Sequence, residues 1–377
     1  MKRTTYLDHN ATTKIRPEAL ELLLAAASDS GNASSIHGFG RAARKYVEEA
    51  RNRISSLLDV GPNQVFFNSG ATEGNNTILR GFGEGRILVS SIEHPSVLQS
   101  GVSADLIPVG PDGVVDVAAF SEQIRKGPSP VLVSVMLVNN ETGVIQPVAE
   151  ISRIAKEAGS LVHCDAVQGF GRIKFTRESL GVDFLTLSSH KIGGPQGVGA
   201  LVMAPRVPLP RLLMGGGQER SHRAGTENVA GIAAFGLAAQ LAVESLPDFA
   251  KLSLLRDQIE KAVRCNFVRI QGATAQRVAN TTLLTVRGQS SEVLLIGFDL
   301  EGVALSGGSA CSSGATHSSH VLKAMGVPEE EAGGALRISF GWNSTQKDVD
   351  EFVRAWNNLR SRVMKDLDNA PASFRSA

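Results

Sequence analysis

The stretch that decides the fold is Asp183-Phe184-Leu185-Thr186-Leu187-Ser188-Ser189-His190-Lys191, followed by Ile-Gly-Gly-Pro-Gln-Gly-Val-Gly. Its apolar run predicts a buried strand that ends in two hydroxyls, an imidazole and a lysine. Burial disfavours the ammonium form of a lysine, and a neutral amine can attack a carbonyl and form a Schiff base. The simpler interpretation of Lys191, taken alone, is a side chain that extends to the surface where its strand ends.

The same arrangement recurs along residues 64–203, where short apolar runs alternate with helical segments and a polar cluster follows each run. This alternation predicts an α/β fold with a mainly parallel sheet, sandwiched by helices. Ligands of such folds bind beyond the carboxyl ends of the strands, where the clusters fall. The clusters are NSGATEGNN (68–76), SSIEHPS (90–96), NNETG (139–143), DAVQG (165–169) and SSHK (188–191).

A second, smaller α/β domain is predicted for the C-terminal part of the chain. Beyond the glycine-rich stretch 214–228 and an Ala/Leu-rich helix, the strands become short. A final helix carries apolar residues on one face: Val349, Phe352, Val353, Trp356, Leu359 and Val363. We expect a large domain at 17–246 and a small domain formed by 1–16 and 247–377, which carries a cysteine-containing loop.

Composition excludes several classes of protein. The 377 residues include 38 Lys plus Arg against 37 Asp plus Glu, so neither nucleic acid nor an anionic membrane is expected as the main partner. The sequence has no run long enough for a signal peptide or a membrane span, and we expect a cytoplasmic protein. Cys164, Cys265 and Cys311 are far apart, which argues against a disulfide framework or a metal site.

Two of the strand-end clusters contain candidate ligand-binding groups. The segment Ser69 to Gly74 joins a strand to a helix, where backbone N–H groups and the Thr72 hydroxyl could hold a phosphate or another anion. A helix N-cap with a capping acid explains the same loop without a ligand. Asp165 ends the strand before Lys191, and it is explained equally well as a helix cap or as part of an Asp–Lys ion pair.

Three further positions have both a structural and a functional explanation. His94 follows a strand and precedes a proline, as turn and packing histidines also do. Asn140 ends a strand, where asparagine commonly terminates a ladder. Arg337 lies in an apolar segment, so its cation needs an anion, supplied either by a protein carboxylate or by a substrate.

Cys311 lies in a run of small residues, Ser306 to Ser319, that cannot pack a core. An exposed cysteine in such a loop is a liability unless its reactivity is used. Cys164 and Cys265 have apolar neighbours and are interpreted as packing residues.

A Schiff-base lysine, an aspartate and an anion-binding helix start together indicate pyridoxal 5'-phosphate. The chain resembles the cysteine desulfurases, the NifS/IscS-like group of fold-type I, class V aminotransferase-like enzymes. The motifs that carry the resemblance are LDHNATT, GNASSIHGFG, SGATEGN, EHPSVL, NNETGVIQP, HCDAVQ, SSHKIGGPQGVG, GGGQERSHRAGTEN, GSACSSG and ALRISFG, in the family's order. Such enzymes have a seven-stranded, mainly parallel sheet.

The resemblance implies a role for each candidate residue. Lys191 would form the Schiff base with the cofactor, Asp165 would pair with its pyridinium nitrogen, Gln168 would bond its ring hydroxyl, and His94 would stack on the ring and move protons. The expected phosphate ligands are Ala71, Thr72, Ser188, His190 and, from the partner subunit of a homodimer, Thr226. Asn140 and Arg337 would bind the carboxylate of L-cysteine. Cys311 would take the sulfur as a persulfide while L-alanine leaves.

Some positions depart from the family's pattern, among them Ser189, Gln196, Gly307 and Thr316-His317-Ser318. They leave open whether the sulfur acceptor is an iron–sulfur cluster scaffold or a sulfur carrier for tRNA or cofactor thiolation. Two alternatives also remain. One is a related lyase or aminotransferase, such as a selenocysteine lyase, which would not need Cys311, and the other is a catalytically silent relative that acts as a binding partner.

Overall fold

The computed structural model describes residues 4–83, 85–127, 131–205, 207, 211–308 and 319–363. The strands in these ranges are β1 (Thr5–Tyr6), β2 (Val65–Asn68), β3 (Arg86–Ser90), β4 (Asp105–Ile107), β5 (Val131–Ser134), β6 (Leu161–Asp165), β7 (Phe184–Ser188), β8 (Gly199–Met203), β9 (Val268–Gln271), β10 (Thr281–Val286), β11 (Val303–Ala304) and β12 (Ala335–Ser339). The helices are α1 (Pro17–Ser28), α2 (Gly38–Leu58), α3 (Ala71–Gly81), α4 (Pro95–Leu98), α5 (Val117–Arg125), α6 (Val148–Glu157), α7 (Arg177–Leu180), α8 (Gln218–Ser221), α9 (Val229–Glu244), α10 (Leu246–Ala250), α11 (Leu252–Ala262), α12 (Ser291–Leu300), α13 (His320–Ala324), α14 (Glu329–Ala332) and α15 (Gln346–Val363).

The central sheet has seven strands in the order β2-β8-β7-β6-β5-β3-β4. β8 is antiparallel to both of its neighbours, and the other neighbouring pairs are parallel. Every residue of β7 is buried, as expected for a parallel strand covered on both faces. The predicted α/β fold with a mainly parallel, seven-stranded sheet is confirmed.

The helices begin and end where local sequence signals place them, and α6 is an example. It starts after Pro147, carries Glu150 in its first turn and Lys156 in its last, as the helix dipole favours. Gly159, at φ 69°, then takes a backbone conformation that most side chains disfavour. The helix packs its apolar face against the sheet and delivers the chain to β6.

Two large hydrophobic clusters separate the N-terminal and C-terminal parts of the chain. The larger one joins the central sheet to helices that include α2, α6 and α9. The second contains Leu7 together with residues between 252 and 359, around the antiparallel strands β9, β10 and β12. The apolar face of α15 faces this second cluster, which confirms the pattern predicted for the last helix.

The N-terminal segment connects the two clusters. β1 pairs with β11, and Leu7 is buried in the second cluster. The next residues then leave it, and the Thr13 N–H donates to the carbonyl of His190 at 3.0 Å, just beyond β7. Residues 8–13 therefore lie against the carboxyl edge of the central sheet.

Over the described ranges, no single helix is long and apolar enough to cross a membrane. Helix α9 and the helical stretch Leu246–Ala262 meet at 61°, and they are long and apolar enough only when the two are taken together.

Candidate functional site

A cavity of about 540 Å³ lies at the carboxyl edge of the central sheet. Side chains from the clusters that follow β2, β3, β6 and β7 line it, together with residues of the N-terminal segment and Arg337 of β12. Ten of the residues predicted from the sequence lie in its wall: Ala71, Thr72, His94, Asn140, Asp165, Gln168, Ser188, His190, Lys191 and Arg337.

Two predicted residues are not among these lining residues. Thr226 is exposed in the loop before α9. Cys311 lies outside the residues that the structure describes. Cys164 is buried within β6, and burial raises the pKa of its thiol well above the ordinary value. Cys265 packs half-buried against the second hydrophobic cluster. The interpretation of these two as packing cysteines is confirmed.

A larger groove, of about 960 Å³, runs beside the N-terminal segment and shares Gln196 with the cavity. Its wall mixes hydroxyls with cations and carboxylates, such as Lys347, Arg354 and Glu351. The smaller cavity contains the strand-end lysine and aspartate that the sequence singled out, so the chemistry is assigned to that cavity.

Lys191 lies at the end of a short 3-10 turn that directly follows β7. Its Nζ donates to the backbone carbonyls of Asn10 and Ala11, at 2.6 Å each. Lys191 is half-buried in the cavity wall, and this position differs from that of a lysine extended into solvent.

Asp165 ends β6, the neighbour of β7, so the predicted proximity of its strand to that of Lys191 is confirmed. Its Oδ1 accepts the Val167 N–H at 3.0 Å, and its Oδ2 accepts from Nδ2 of Asn75 at 2.8 Å. Asn75 is fully buried in α3 and also donates to Ser96. The backbone bond is the turn cap expected from the sequence, whereas the role of Asn75 was not predicted.

His94 precedes α4, and its Nδ1 accepts the Ser96 backbone N–H at 3.1 Å. A backbone N–H can only donate, so the proton of the neutral imidazole lies on Nε2. Burial lowers the pKa of His94, the charges of Lys191 and His320 lower it further, and Asp165 opposes them. A neutral imidazole with a known tautomer is thus available at the cavity.

The N-terminus of α3 faces the cavity through Gly70, Ala71 and Thr72. Gly70 has a φ of 147°, and a Cβ built there would meet no atom within 4 Å, so it would project into open space. Its N-cap residue is Gly70, which has no side chain to cap the helix, although Glu73 accepts the Ser69 N–H at 2.9 Å as a capping acid does. The first N–H groups of α3 therefore suit an anion.

Gly199, on β8, allows the strands to approach closely beneath this helix start. A Cβ at Gly199 would lie 2.7 Å from the carbonyl oxygen of Leu187 and 2.8 Å from Cα of Gly70. Any side chain would therefore push β7 and the loop before α3 apart.

His190 lies beside Lys191 and completes this side of the cavity. Burial lowers its pKa to about 4, assisted by the charges of Lys191 and Arg172. Its Nδ1 lies 3.1 Å from the Thr12 hydroxyl oxygen. His190 is therefore neutral near pH 7 and able to donate one hydrogen bond.

Arg337 is buried in β12, and its Nη2 pairs with Asp8 at 2.7 Å. Its Nη1 donates to the backbone carbonyl of Asn140 at 3.0 Å. A protein carboxylate thus supplies the anion that the sequence required. The guanidinium still has an Nε that is buried without a hydrogen-bond partner in the described part of the chain.

Asn10 connects these groups, and sequence reasoning missed it. Its carbonyl accepts from Lys191 and from Gln168, and its Oδ1 accepts from Arg172 at 2.6 Å. Its Nδ2 donates to the carbonyl of Asn140 at 3.1 Å. The available signal was the polar run LDHN directly after an apolar residue, which by itself does not identify these partners.

Three buried polar atoms in the cavity-lining residues lack a hydrogen-bond partner within the described chain: Gln168 Oε1, Asn140 Oδ1 and Arg337 Nε. Buried polar atoms are normally bonded. Their coincidence in one cavity indicates that a polar ligand completes it. Across the described residues, no group of three or more His, Cys, Asp or Glu side chains could hold a metal ion.

Comparison with known proteins gives a family and close relatives. The family model of Aminotransferase class-V matches residues 5–352. The chain is 39% identical over 366 residues to the IscS-like cysteine desulfurase of Mycobacterium tuberculosis, covering 92% of this chain and 93% of that protein. It is 40% identical over 367 residues to the cysteine desulfurase IscS of Dictyoglomus turgidum, with 93% of each chain covered.

A NifS-like protein from Rickettsia africae has a similar solved structure, with a TM-score of 0.89 and 38% identity. The superposition covers 95% of this chain and 100% of that one. The agreement extends over both hydrophobic clusters, since it spans nearly the whole chain.

Proposed function

The chain belongs to the aminotransferase class-V family and is an enzyme of the cysteine desulfurase type; we propose that it converts L-cysteine to L-alanine and holds the sulfur as a persulfide on Cys311. The observation that carries the proposal is the convergence of Lys191, Asp165, His94 and the start of α3 on one cavity. Each of these groups comes from a different polar cluster of the sequence.

The family implies pyridoxal 5'-phosphate, and the cavity residues fit this cofactor. The uncapped start of α3 beside Gly70 suits a phosphate. Ala71, Thr72, Ser188 and His190 would hold the phosphate there, and Gln168 would bond the ring hydroxyl. When bound, the cofactor supplies an electron sink for charge that develops on the substrate carbon.

Asp165 would hold a protonated ring nitrogen of the cofactor. Its two oxygens already accept hydrogen bonds from Asn75 and from the backbone of Val167, which fixes the plane of the carboxylate. Lys191 would supply the amine that binds the cofactor covalently, and the carbonyls of Asn10 and Ala11 orient its nitrogen. His94, with its proton on Nε2, would stack on the ring and move protons to and from the substrate.

Arg337 and Asn140 would bind the substrate carboxylate. The buried Nε of Arg337 and Oδ1 of Asn140 have capacity for further hydrogen bonds. The Asp8 carboxylate holds Nη2 of Arg337, so the guanidinium is oriented before a substrate arrives. Preorganisation of this kind reduces the entropy lost on binding.

Cys311 would act as the nucleophile. Its thiolate would attack the sulfur of L-cysteine, an S–S bond would form and the C–S bond would break. The electron pair would remain on carbon, which takes a proton and leaves as L-alanine. A cysteine in a run of small residues could then deliver the sulfur to an acceptor protein.

The division into domains 17–246 and 1–16 plus 247–377 is part of the proposal and is supported by the two hydrophobic clusters. We also propose a homodimer, in which Thr226 reaches the cofactor phosphate of the partner subunit. Leu24, Ile36 and Phe39 are large apolar residues with exposures of 57%, 88% and 69%, and such residues commonly mark an interface. The proposed acceptor is an iron–sulfur scaffold or sulfur carrier, and the proposed location is cytoplasmic.

The test compares three cysteine and lysine variants of the purified chain. Cys311→Ser should lose alanine formation from L-cysteine yet keep the visible absorbance of the bound cofactor. Cys265→Ser is the matched control and should keep both properties. Lys191→Ala should lose alanine formation and the covalent attachment of the cofactor.

Other outcomes would favour the alternatives. Desulfuration that persists in Cys311→Ser would contradict the persulfide and favour a lyase such as a selenocysteine lyase. Wild-type protein that binds no cofactor would favour a catalytically silent relative.

A further inference from the structure

Arg172 is buried, with 6% of its surface exposed. It lies beside the cavity of about 540 Å³ proposed to bind the cofactor, which is called the cofactor cavity below. It follows β6 and donates from Nη1 to Oδ1 of Asn10 at 2.6 Å. Within the described ranges, no carboxylate forms an ion pair with it, and the nearby charge that acts on it is the cation Arg337. A buried guanidinium without an anion is costly, which suggests that its charge has a use.

Arg172 and Lys191 are joined through one residue. Asn10 accepts Arg172 with its side-chain oxygen and Lys191 with its backbone carbonyl, each at 2.6 Å. Both residues also line a small cavity of about 20 Å³, large enough for one water molecule. Arg172 and Lys191 are therefore connected through a single asparagine and border the same small cavity.

We propose that Arg172 is a positioning residue for Lys191: its unpaired charge disfavours the ammonium form of Lys191, and its bond to Asn10 fixes the carbonyl that orients the amine. The inference deepens the proposed function and rests on it, since a neutral amine is what Schiff-base formation requires. A cation beside a reactive lysine is a known means of activating it. Burial lowers the pKa of Arg172, but a guanidinium remains charged throughout the range in which lysines titrate.

Hydrogen bonding alone does not determine the state of Lys191, because both the amine and the ammonium can donate to the two carbonyls. The difference comes from the charges around the pair. The titratable and charged groups that face Lys191 and Arg172 are His9, His94, His190, Arg16, Arg337, Asp8 and Asp165. Asp8 pairs with Arg337, whereas Arg172 has no such compensation among these residues.

The test measures the protonation of Lys191 directly, in the full chain freed of cofactor. The protein is treated briefly with an amine-reactive reagent at a series of pH values, and labelling of the Lys191 peptide is measured by mass spectrometry. The wild-type midpoint should lie below the ordinary lysine value of about 10.4. Arg172→Met should raise this midpoint by about one pH unit. Arg172→Lys keeps the positive charge, so its midpoint should stay close to the wild-type value.

Arg177→Met is the matched control. Arg177 is a half-buried arginine that donates to the backbone carbonyl of Val182 and lies outside the cavity wall. Its loss should leave the Lys191 midpoint unchanged. If Arg172→Met does not fold, the wild-type midpoint alone still tests the inference, since a value at or above about 10.4 would overturn it. An equal shift in Arg172→Lys and Arg172→Met would also overturn it.

The labelling result is independent of the proposed reaction. If the wild-type chain binds no pyridoxal phosphate, the proposed function fails whatever the labelling shows. If the cofactor binds but the Lys191 midpoint does not respond to Arg172→Met, the inference fails while the proposed function stands.

Discussion

Arg51 and Glu219 form a buried ion pair beside β2, whereas Glu93, buried near the cofactor cavity, has no cation bound to it within the described chain. Glu219 takes two bonds from the Arg51 guanidinium, at 2.8 and 2.9 Å, and a third from the Phe67 N–H. Among the described residues, the Glu93 carboxylate accepts hydrogen bonds from the Ser90 hydroxyl and the Met136 N–H, and its Oε2 has no partner. Burial raises the pKa of Glu93 to about 8.

The presence or absence of a bound counter-ion distinguishes the buried charges that stabilise the fold from those that lie near the cavity. A complete pair such as Arg51–Glu219 tolerates burial because each charge compensates the other. Within the described ranges, Glu93 and Arg172 have no such counter-ion. Glu93 is next to the cavity residue His94 in the chain, and Arg172 bonds the cavity residue Asn10. Perturbed buried groups of this kind are typical of functional sites.

The largest effect is expected from breaking the complete pair. Glu219→Gln should lower the free energy of unfolding by about 3–5 kcal/mol, because Arg51 would remain buried without its anion. Glu48→Gln is the control: Glu48 also contacts Arg51, at 3.2 Å, but 43% of its side chain is exposed, so the loss should stay below about 1 kcal/mol. Urea unfolding of both variants measures the difference, and equal losses would contradict the assignment of a structural role to Glu219.

Glu93 should instead affect how the free energy of unfolding depends on pH. Its folded-state pKa of about 8 lies above the ordinary 4.5, so the native state binds more protons than the unfolded state between these values. The wild-type free energy of unfolding should therefore fall as pH rises through this window, by at most about 1.4 kcal/mol per pH unit from this group.

Glu93→Gln should reduce that slope, because an amide does not ionise. Urea unfolding between pH 5 and pH 8 measures it, with Glu150→Gln on the exposed face of α6 as the control. A slope that is the same in wild type and Glu93→Gln would show that Glu93 is ionised without penalty.

The smallest expected effect concerns Asp165, whose carboxylate is held by an amide. Asn75→Ala removes the donor to Asp165 Oδ2, and we expect cofactor affinity to fall roughly tenfold, the size of one lost buried hydrogen bond. Asn76→Ala, whose donors reach the backbone carbonyls of Thr72 and Ser96, should change it less than about threefold. Absorbance titration with pyridoxal phosphate measures both, and equal effects would mean that Asn75 is not specific for Asp165.

Much of the fold followed from local pattern. Apolar runs with β-branched residues predict strands, and the helical segments between them require parallel crossovers, so the polar clusters had to meet at one sheet edge. The neighbouring strands of Asp165 and Lys191 were predicted in this way. The resemblance then supplied roles that spacing alone left open, such as those of His94 and Gln168.

The network that holds the site did not follow from local pattern. The bond from Lys191 to Asn10 spans 181 residues, the bond from Asn75 to Asp165 spans 90, and the Arg51–Glu219 pair spans 168. Glu219 even has a φ of 44°, which no helix or strand pattern predicts. Such contacts depend on how distant elements pack.

The sequence by itself therefore determined which residue types lie at the strand ends: lysine, aspartate, histidine and the glycine-rich start of α3. It did so because the alternation of strands and helices is a local property with only one sheet edge at which those ends can meet. The tertiary structure alone decided how their charges are balanced. Whether a buried group has a counter-ion depends on side chains brought from far along the chain, and this sets Arg51 and Glu219 apart from Arg172 and Glu93.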